Sequence, residues 1–328
     1  MSGTGIGLLG AARITKKAIV DPVQVTSNCH LATIAARDLA RAEAYAKDHG
    51  VGEAVATYEE VVSSPNVDLV YNPLPINLHA EWTIKALQAG KDVLCEKPLA
   101  MNFDEAKAMV DAATASGKRL IEAFHYRYHP AFETCLAWLA ADEIGELREL
   151  RAAFDVEIKD NGTEIRHRVE TGGGAMMDLG CYPLHWALAV MGEAPQDVSA
   201  SATLTPTGVD ETLQADLGFA SGAAAHLTTS MAPGTPFRAE MTLIGSKGEI
   251  TFTNPLAPHA GGRLRTSSGR EAEVSTIPTY TWQLAAVLKA IQLKTAVPTE
   301  GEMILRQQAA LDAVYEAAGL RHLRYLEA

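Results

Sequence analysis

Over residues 1–124, short apolar runs alternate with stretches whose apolar positions recur every three or four residues. The runs are "GIGLLG" (5–10), "HLATIAA" (30–36), "VDLVYN" (67–72), "DVLCE" (92–96) and "RLIEAF" (119–124). They are nearly all apolar, as strands covered on both faces must be. The helical stretches 39–50, 78–90 and 103–117 each end on a glycine, a residue that closes helices. Strand and helix in alternation predict a doubly wound parallel sheet, an α/β dinucleotide-binding (Rossmann) domain over 1–124.

The second half has a different period. A glycine-led helical stretch at 172–191 precedes runs of period two at 198–205, 212–219, 223–231, 239–246 and 249–254. Turn pairs such as Ser221-Gly222 and Lys247-Gly248 separate them. This predicts a second α/β domain, 125–328, built on a large, open, mostly antiparallel sheet. Two helical stretches, near 280–294 and 300–320, close the chain. An open sheet of this breadth leaves an apolar face in need of cover, so a homodimer or homotetramer is expected.

The opening residues contain a literal G-x-G-x-x-G at Gly5, Gly7 and Gly10. A cofactor loop must follow the first strand, and only four residues precede Gly5. "IGLLG" is therefore the strand, and the turn runs from Gly10 through Ala11, Ala12, Arg13 and Ile14 to Thr15. Small Ala12 still admits a pyrophosphate, and the helix start supplies donors. The second strand ends in Ala36-Arg37, where a guanidinium can neutralise a 2′-phosphate. This favours NADP over NAD as cofactor. Asp38 is open to two readings, a ribose ligand or a helix N-cap.

Composition narrows the classes. The 328 residues carry a net charge of −12 with no basic cluster, which excludes a nucleic-acid or anionic-membrane partner as the expectation. The cysteines, four in number, are scattered, consistent with a reduced compartment. No signal core or membrane-length apolar run stands out, and a cytoplasmic location is expected. No metal is expected: His125 and His129 stand four apart in "EAFHYRYHP" without a third ligand beside them.

Two constellations carry candidate chemistry. Lys97 in "CEKPLA" leaves the carboxyl end of a strand, where such sheets bind ligands, and its ammonium can stabilise charge on a substrate oxygen. The Lys97-Pro98 peptide is expected to be cis. In "TGGGAMMDLGCYPLHWALAVMG", Asp178, Tyr182 and His185 fall on one helix face. Tyr182 can exchange a proton with a substrate oxygen, Asp178 can orient it, and His185 can tune both. A polar cluster packed inside the protein is the competing reading. In "YNPLPINLH", Leu74, Asn77 and His79 are candidate cofactor contacts, His79 equally a helix start. Arg127 is a candidate substrate or interdomain contact.

"GLLGAARI", "NPLPINLHAEWTIKALQAGKDVLCEKPLA", "EAFHYRYHP" and "IRHRVETGGGAMMDLGCY" together resemble the glucose–fructose oxidoreductase and inositol dehydrogenase (Gfo/Idh/MocA) family. The resemblance covers nearly the whole chain. It is strongest at Glu96-Lys97-Pro98 and at Gly172-Gly173-Gly174. It implies an NAD(P)-dependent oxidoreductase that moves a hydride between nicotinamide and a sugar, cyclic polyol or dihydrodiol-type alcohol. It implies Lys97, Asp178 and Tyr182 as catalytic residues, Ile14 and Glu96 among the cofactor contacts, and Arg166 near the substrate. Tyrosine at 182 resembles the NADP-linked sugar and dimeric dihydrodiol dehydrogenase branch. Two alternatives stand beside it: a glycosidase using tightly bound nicotinamide transiently, and a non-catalytic NADP-binding regulator, against which the retention of Lys97, Asp178 and Tyr182 together argues.

Overall fold

The computed structural model describes residues 3–325 and divides into two compact units. The first comprises the chain up to His125 together with Tyr280–Leu305. Its strands are β1 (Thr4–Leu9), β2 (Cys29–Ala35), β3 (Glu53–Val55), β4 (Leu69–Asn72), β5 (Asp92–Cys95) and β6 (Leu120–Glu122). They form one parallel sheet in the order β3-β2-β1-β4-β5-β6. The order reverses between β1 and β4, which opens a ligand crevice at their carboxyl ends. Gly5 and Gly7 lie inside β1, so the loop does begin at Gly10. Helices Leu39–His49 and Phe103–Ser116 each start on a side-chain cap, Asp38 and Asn102, and end on a left-handed glycine, Gly50 and Gly117.

The sequence placed everything after 124 in the second domain, whereas 280–305 returns to the first unit. The reason is burial. Helix Thr279–Leu293 places Leu284 and Val287, both fully buried, in the core of Ile6, Leu8, Ile34, Leu69 and Leu94. Each such side chain contributes about 2 kcal/mol. Behind it, Arg119 grips Glu300 through Nη2 at 2.7 Å and donates to the carbonyls of Ala290 (2.7 Å) and Thr295 (2.6 Å).

The second unit comprises Tyr126–Thr279 and the chain from Arg306 onward. Its strands are β7 (Leu147–Asp155), β8 (Asp197–Leu204), β9 (Asp210–Gly218), β10 (Ala224–Ser230), β11 (Arg238–Gly245), β12 (Glu249–Thr253) and β13 (Arg263–Thr266), in the order β13-β12-β11-β7-β10-β9-β8. β7 and β10 run parallel and the other pairs antiparallel. Helix Cys181–Met191 packs on β7 and β10 and covers a face made of Leu150, Ala152, Leu213, Ala225, Leu227 and Met241.

The opposite face is not apolar, which corrects the argument for an oligomer. It carries ion pairs: Arg151 with Glu149, Arg238 Nε with Asp155 Oδ2 at 2.7 Å, and His226 Nδ1 at 2.6 Å from Asp216 Oδ1. Threonine, serine and glutamine fill most of the positions between, with Ala153, Ala224 and Ile244 among them. Such a surface is stable in water as it stands.

Among the described residues no helix is long and apolar enough to cross a membrane.

Candidate active site

The glycine loop has the form a dinucleotide needs. Gly10 has φ +109°, a value that side chains disfavour, and its N–H donates to Ala35 O at 2.9 Å. Leu74 and Tyr58 lie just beyond it, 3.5 Å and 3.9 Å from where a Cβ would stand. The helix then begins at Arg13 and Ile14 from Ala12, and no side chain caps its first turn. The first-turn N–H groups of a helix start of this kind can receive an anion. The helix passes through a π turn at Lys16–Val20.

Arg37 is exposed at the end of β2. Asp38 is the N-cap: its Oδ1 accepts from Arg41 N at 2.8 Å. Arg41, which the sequence reading passed over, turns its Nη2 back to Ala11 O at 2.9 Å. Arg37 and Arg41 both pull the Tyr58 phenol down, against a burial that raises it overall. Two guanidinium groups thus flank the glycine loop. The residues present fit a dinucleotide coenzyme.

The loop after β4 is held from within. Asn72, fully buried, accepts from Leu74 N at 3.3 Å and donates to Thr83 Oγ1 at 3.2 Å. Asn77 is exposed in the turn Ile76–Leu78. His79 is 1% exposed and opens the helix His79–Gln88. Its Nε2 meets Leu74 O at 2.8 Å, and its Nδ1 meets Pro98 O and Leu99 O at 3.1 Å. Both ring nitrogens face the protein's own carbonyls, and the one that carries the proton donates to them. His79 therefore ties two loops together rather than presenting a nitrogen to a cofactor. Burial pushes its pKa down to about 4.

At the end of β5, Lys97 is half-buried and the Lys97-Pro98 peptide is cis. Buried Glu96 accepts from Tyr71 Oη at 2.7 Å. Burial, with the Glu96 charge adding to it, drives the Tyr71 phenol well above its ordinary value.

In the second unit, Asp178 lies in a π turn, Met176–Gly180, and Tyr182 in the first turn of helix Cys181–Met191. The sequence predicted one uninterrupted α-helix, so its i, i+4 spacing meets a wider turn here, a feature common at functional sites. A buried carboxylate anchors this start. Asp210 accepts from Met176 N at 2.6 Å and from Tyr315 Oη at 2.7 Å. Gly174, at φ +125°, leaves room for it: a Cβ there would lie 2.0 Å from Asp210 Oδ1. Arg324, 1% exposed, reaches Met177 Sδ and covers the Tyr315 ring at 5.1 Å.

Arg166 Nε donates to Asp178 Oδ2 at 2.6 Å and its Nη1 to Glu164 Oε1 at 2.9 Å. The Asp178 carboxylate is the main reason the guanidinium stands above its ordinary value. Tyr182 is 5% exposed and lies between the rings of Phe154 (5.8 Å) and Tyr126 (6.2 Å). His185 is 1% exposed, and its Nδ1 is hydrogen-bonded to Tyr126 Oη. Burial, then the Arg127 charge, pushes its pKa down to about 3. It is a neutral core histidine. Arg127 pairs with Glu133 and lies 5.4 Å from the Phe132 ring. Asp178 and Arg166 are thus paired, and Tyr182 and His185 follow them along the π turn and the helix after it.

His125 stacks on Tyr280 at 4.0 Å, and His129 caps the helix Pro130–Ala140. Among the described residues, no cluster of three or more histidine, cysteine or acidic side chains could hold a metal.

A parallel sheet with a glycine loop, joined to a sheet domain carrying a Tyr-Asp turn, defines a two-domain NAD(P)-binding oxidoreductase. Residues 4–124 match the profile described as "Oxidoreductase family, NAD-binding Rossmann fold", and residues 132–251 that of the "GFO/IDH/MocA C-terminal domain". The chain is similar to D-xylose 1-dehydrogenase (NADP(+)) 2 of Haloferax volcanii, 34% identical over 317 residues that cover 95% of this chain and 96% of that one. It is also similar to trans-1,2-dihydrobenzene-1,2-diol dehydrogenase of Xenopus tropicalis, 34% identical over 252 residues (76% of this chain, 75% of that one). Among solved structures, the 3-ketoreductase KijD10 of Actinomadura kijaniata, in complex with NADP and TDP-benzene, matches with a TM-score of 0.88. It is 28% identical, over 96% of this chain and 98% of that one. The chain belongs to the Gfo/Idh/MocA oxidoreductase family.

Proposed function

We propose that the protein is an NADP-linked dehydrogenase or reductase acting on a CH–OH group of a sugar, cyclic polyol or dihydrodiol-type alcohol. Lys97 carries the reading: a half-buried ammonium at the carboxyl end of β5, in the sheet that holds the glycine loop. The named relatives, a xylose dehydrogenase, a dihydrodiol dehydrogenase and a sugar ketoreductase, support the substrate class.

The nicotinamide coenzyme supplies the two-electron acceptor or donor when bound. The N–H groups of Arg13 and Ile14, beyond Gly10 and Ala12, hold the pyrophosphate. Arg37 and Arg41 neutralise the 2′-phosphate. Leu74 and Asn77 line the coenzyme's edge, with Glu96 at the foot of Lys97. Tyr182 gives or takes the proton of the substrate oxygen. The Lys97 ammonium stabilises charge on that oxygen. Asp178, fixed by Arg166, orients the substrate hydroxyl. Arg127 is the remaining candidate contact for the substrate's far end. His185 braces Tyr126 behind Tyr182.

A panel of aldoses, inositols and dihydrodiols, run with NADP and NAD, tests the proposal. Turnover of at least one member is expected, with Arg41→Ala raising KM for NADP about tenfold and leaving that for NAD unchanged. Coenzyme binding without turnover, or glycoside cleavage with no net change in reduced coenzyme, would overturn it.

A further inference from the structure

The loop that carries Lys97 is held by three side chains, one of which has no role so far. Lys97 N faces Glu96 Oε2 at 3.4 Å, and the Pro98 and Leu99 carbonyls face His79. The third is Glu122, at the end of β6. Its Oε1 accepts from Leu99 N at 2.9 Å, and the β5–β6 register sets it opposite Cys95, two residues before the lysine. Glu122 is 2% exposed, and a carboxyl is rarely so buried without a task.

We propose that Glu122 is a positioning residue for Lys97, acting through the Leu99 amide it holds two residues beyond the lysine. The proposal rests on the reading of Lys97 given above. Burial pushes the Glu122 pKa up to about 8; Glu96 adds to this, and the Leu99 N–H and Lys97 oppose it. In neutral solution Glu122 is therefore protonated. Its carbonyl oxygen keeps the Leu99 hydrogen bond. Above that range the Glu122 carboxylate attracts the ammonium and draws it from the substrate oxygen.

The other titratable groups around Glu122 do not supply this change. The Cys95 thiol is driven well above its ordinary value by burial, His79 is neutral, and Tyr71 keeps its proton. On the far side Glu122 N donates to Thr299 O at 2.9 Å, and the adjoining Glu300 is paired with Arg119.

The test compares kcat from pH 6.5 to 9.5 for the wild type, Glu122→Gln, Glu122→Ala and Lys97→Met, with coenzyme Kd from fluorescence titration as the control for folding. The amide of Glu122→Gln still accepts from Leu99 but cannot ionise. The ratio of wild-type to Glu122→Gln kcat is expected to fall about threefold or more across this range, and Glu122→Ala to lose about tenfold at every pH with coenzyme Kd little changed. A pH-independent ratio with Glu122→Ala near wild-type rate, while Lys97→Met is inactive, overturns the role of Glu122 and leaves that of Lys97 standing. Wild-type turnover by Lys97→Met removes both.

Discussion

At the scale of single residues, burial decides protonation, and protonation sets a pH dependence. His79 and His185 are buried with pKa values near 4 and 3, against 6.5 for an ordinary histidine. As pH falls below 6.5 the unfolded chain takes up protons that the folded chain refuses. Stability present at neutral pH is therefore lost progressively toward pH 4, by several kcal/mol on the order of the pKa differences. Glu122 acts in the other direction, its raised pKa costing stability as pH rises from 4.5 toward 8. The urea midpoint should drop between pH 7 and pH 4.5, and drop less in His185→Gln. An equal drop in both proteins would contradict the assignment. Lys97, Asp178 and Tyr182 were legible as chemistry because each stands in a dense local motif. Tyr126, Asp210 and Glu122 were not: their partners lie 59, 34 and 23 residues away in sequence. Only the folded chain shows such pairings.

At the scale of elements, the glycine-led turn before Tyr182 depends on one close approach. A methyl at 174 would meet the Asp210 carboxylate at 2.0 Å, on backbone that is already unfavourable for a side chain. Gly174→Ala should destabilise the second unit by about 2–4 kcal/mol and lower kcat while coenzyme affinity stays within about twofold, read by calorimetry and fluorescence titration. Unchanged stability would show that Asp210 does not anchor the turn. Alternation predicted most strands to within a residue or two, but it passed over β7, the centre of the second sheet. There Leu150, Ala152 and Phe154 form the inner face, while Arg148, Glu149 and Arg151 crowd the run with charge. Half that strand borders the open polar face, so its apolar signal is weak. The π turns at Lys16–Val20 and Met176–Gly180 leave no periodic mark in so short a stretch.

At the scale of the whole molecule, the order of elements in sequence is not their order in space. The segment 280–305 reads as a late helix and a connection, yet its apolar side completes the core of the first unit. Periodicity gives a helix its buried face but not the sheet that face will meet. Under the proposed function, two side chains remote in sequence, Lys97 and Tyr182, act on one substrate oxygen. A double-mutant cycle in kcat/KM on the preferred substrate tests this most directly, using Lys97→Met, Tyr182→Phe and the double variant. Each single change should cost about a hundredfold or more, and the double variant little beyond the worse single, because groups acting as a unit lose their effect together. Near wild-type rates in either single variant, or losses that multiply in full, would contradict the account.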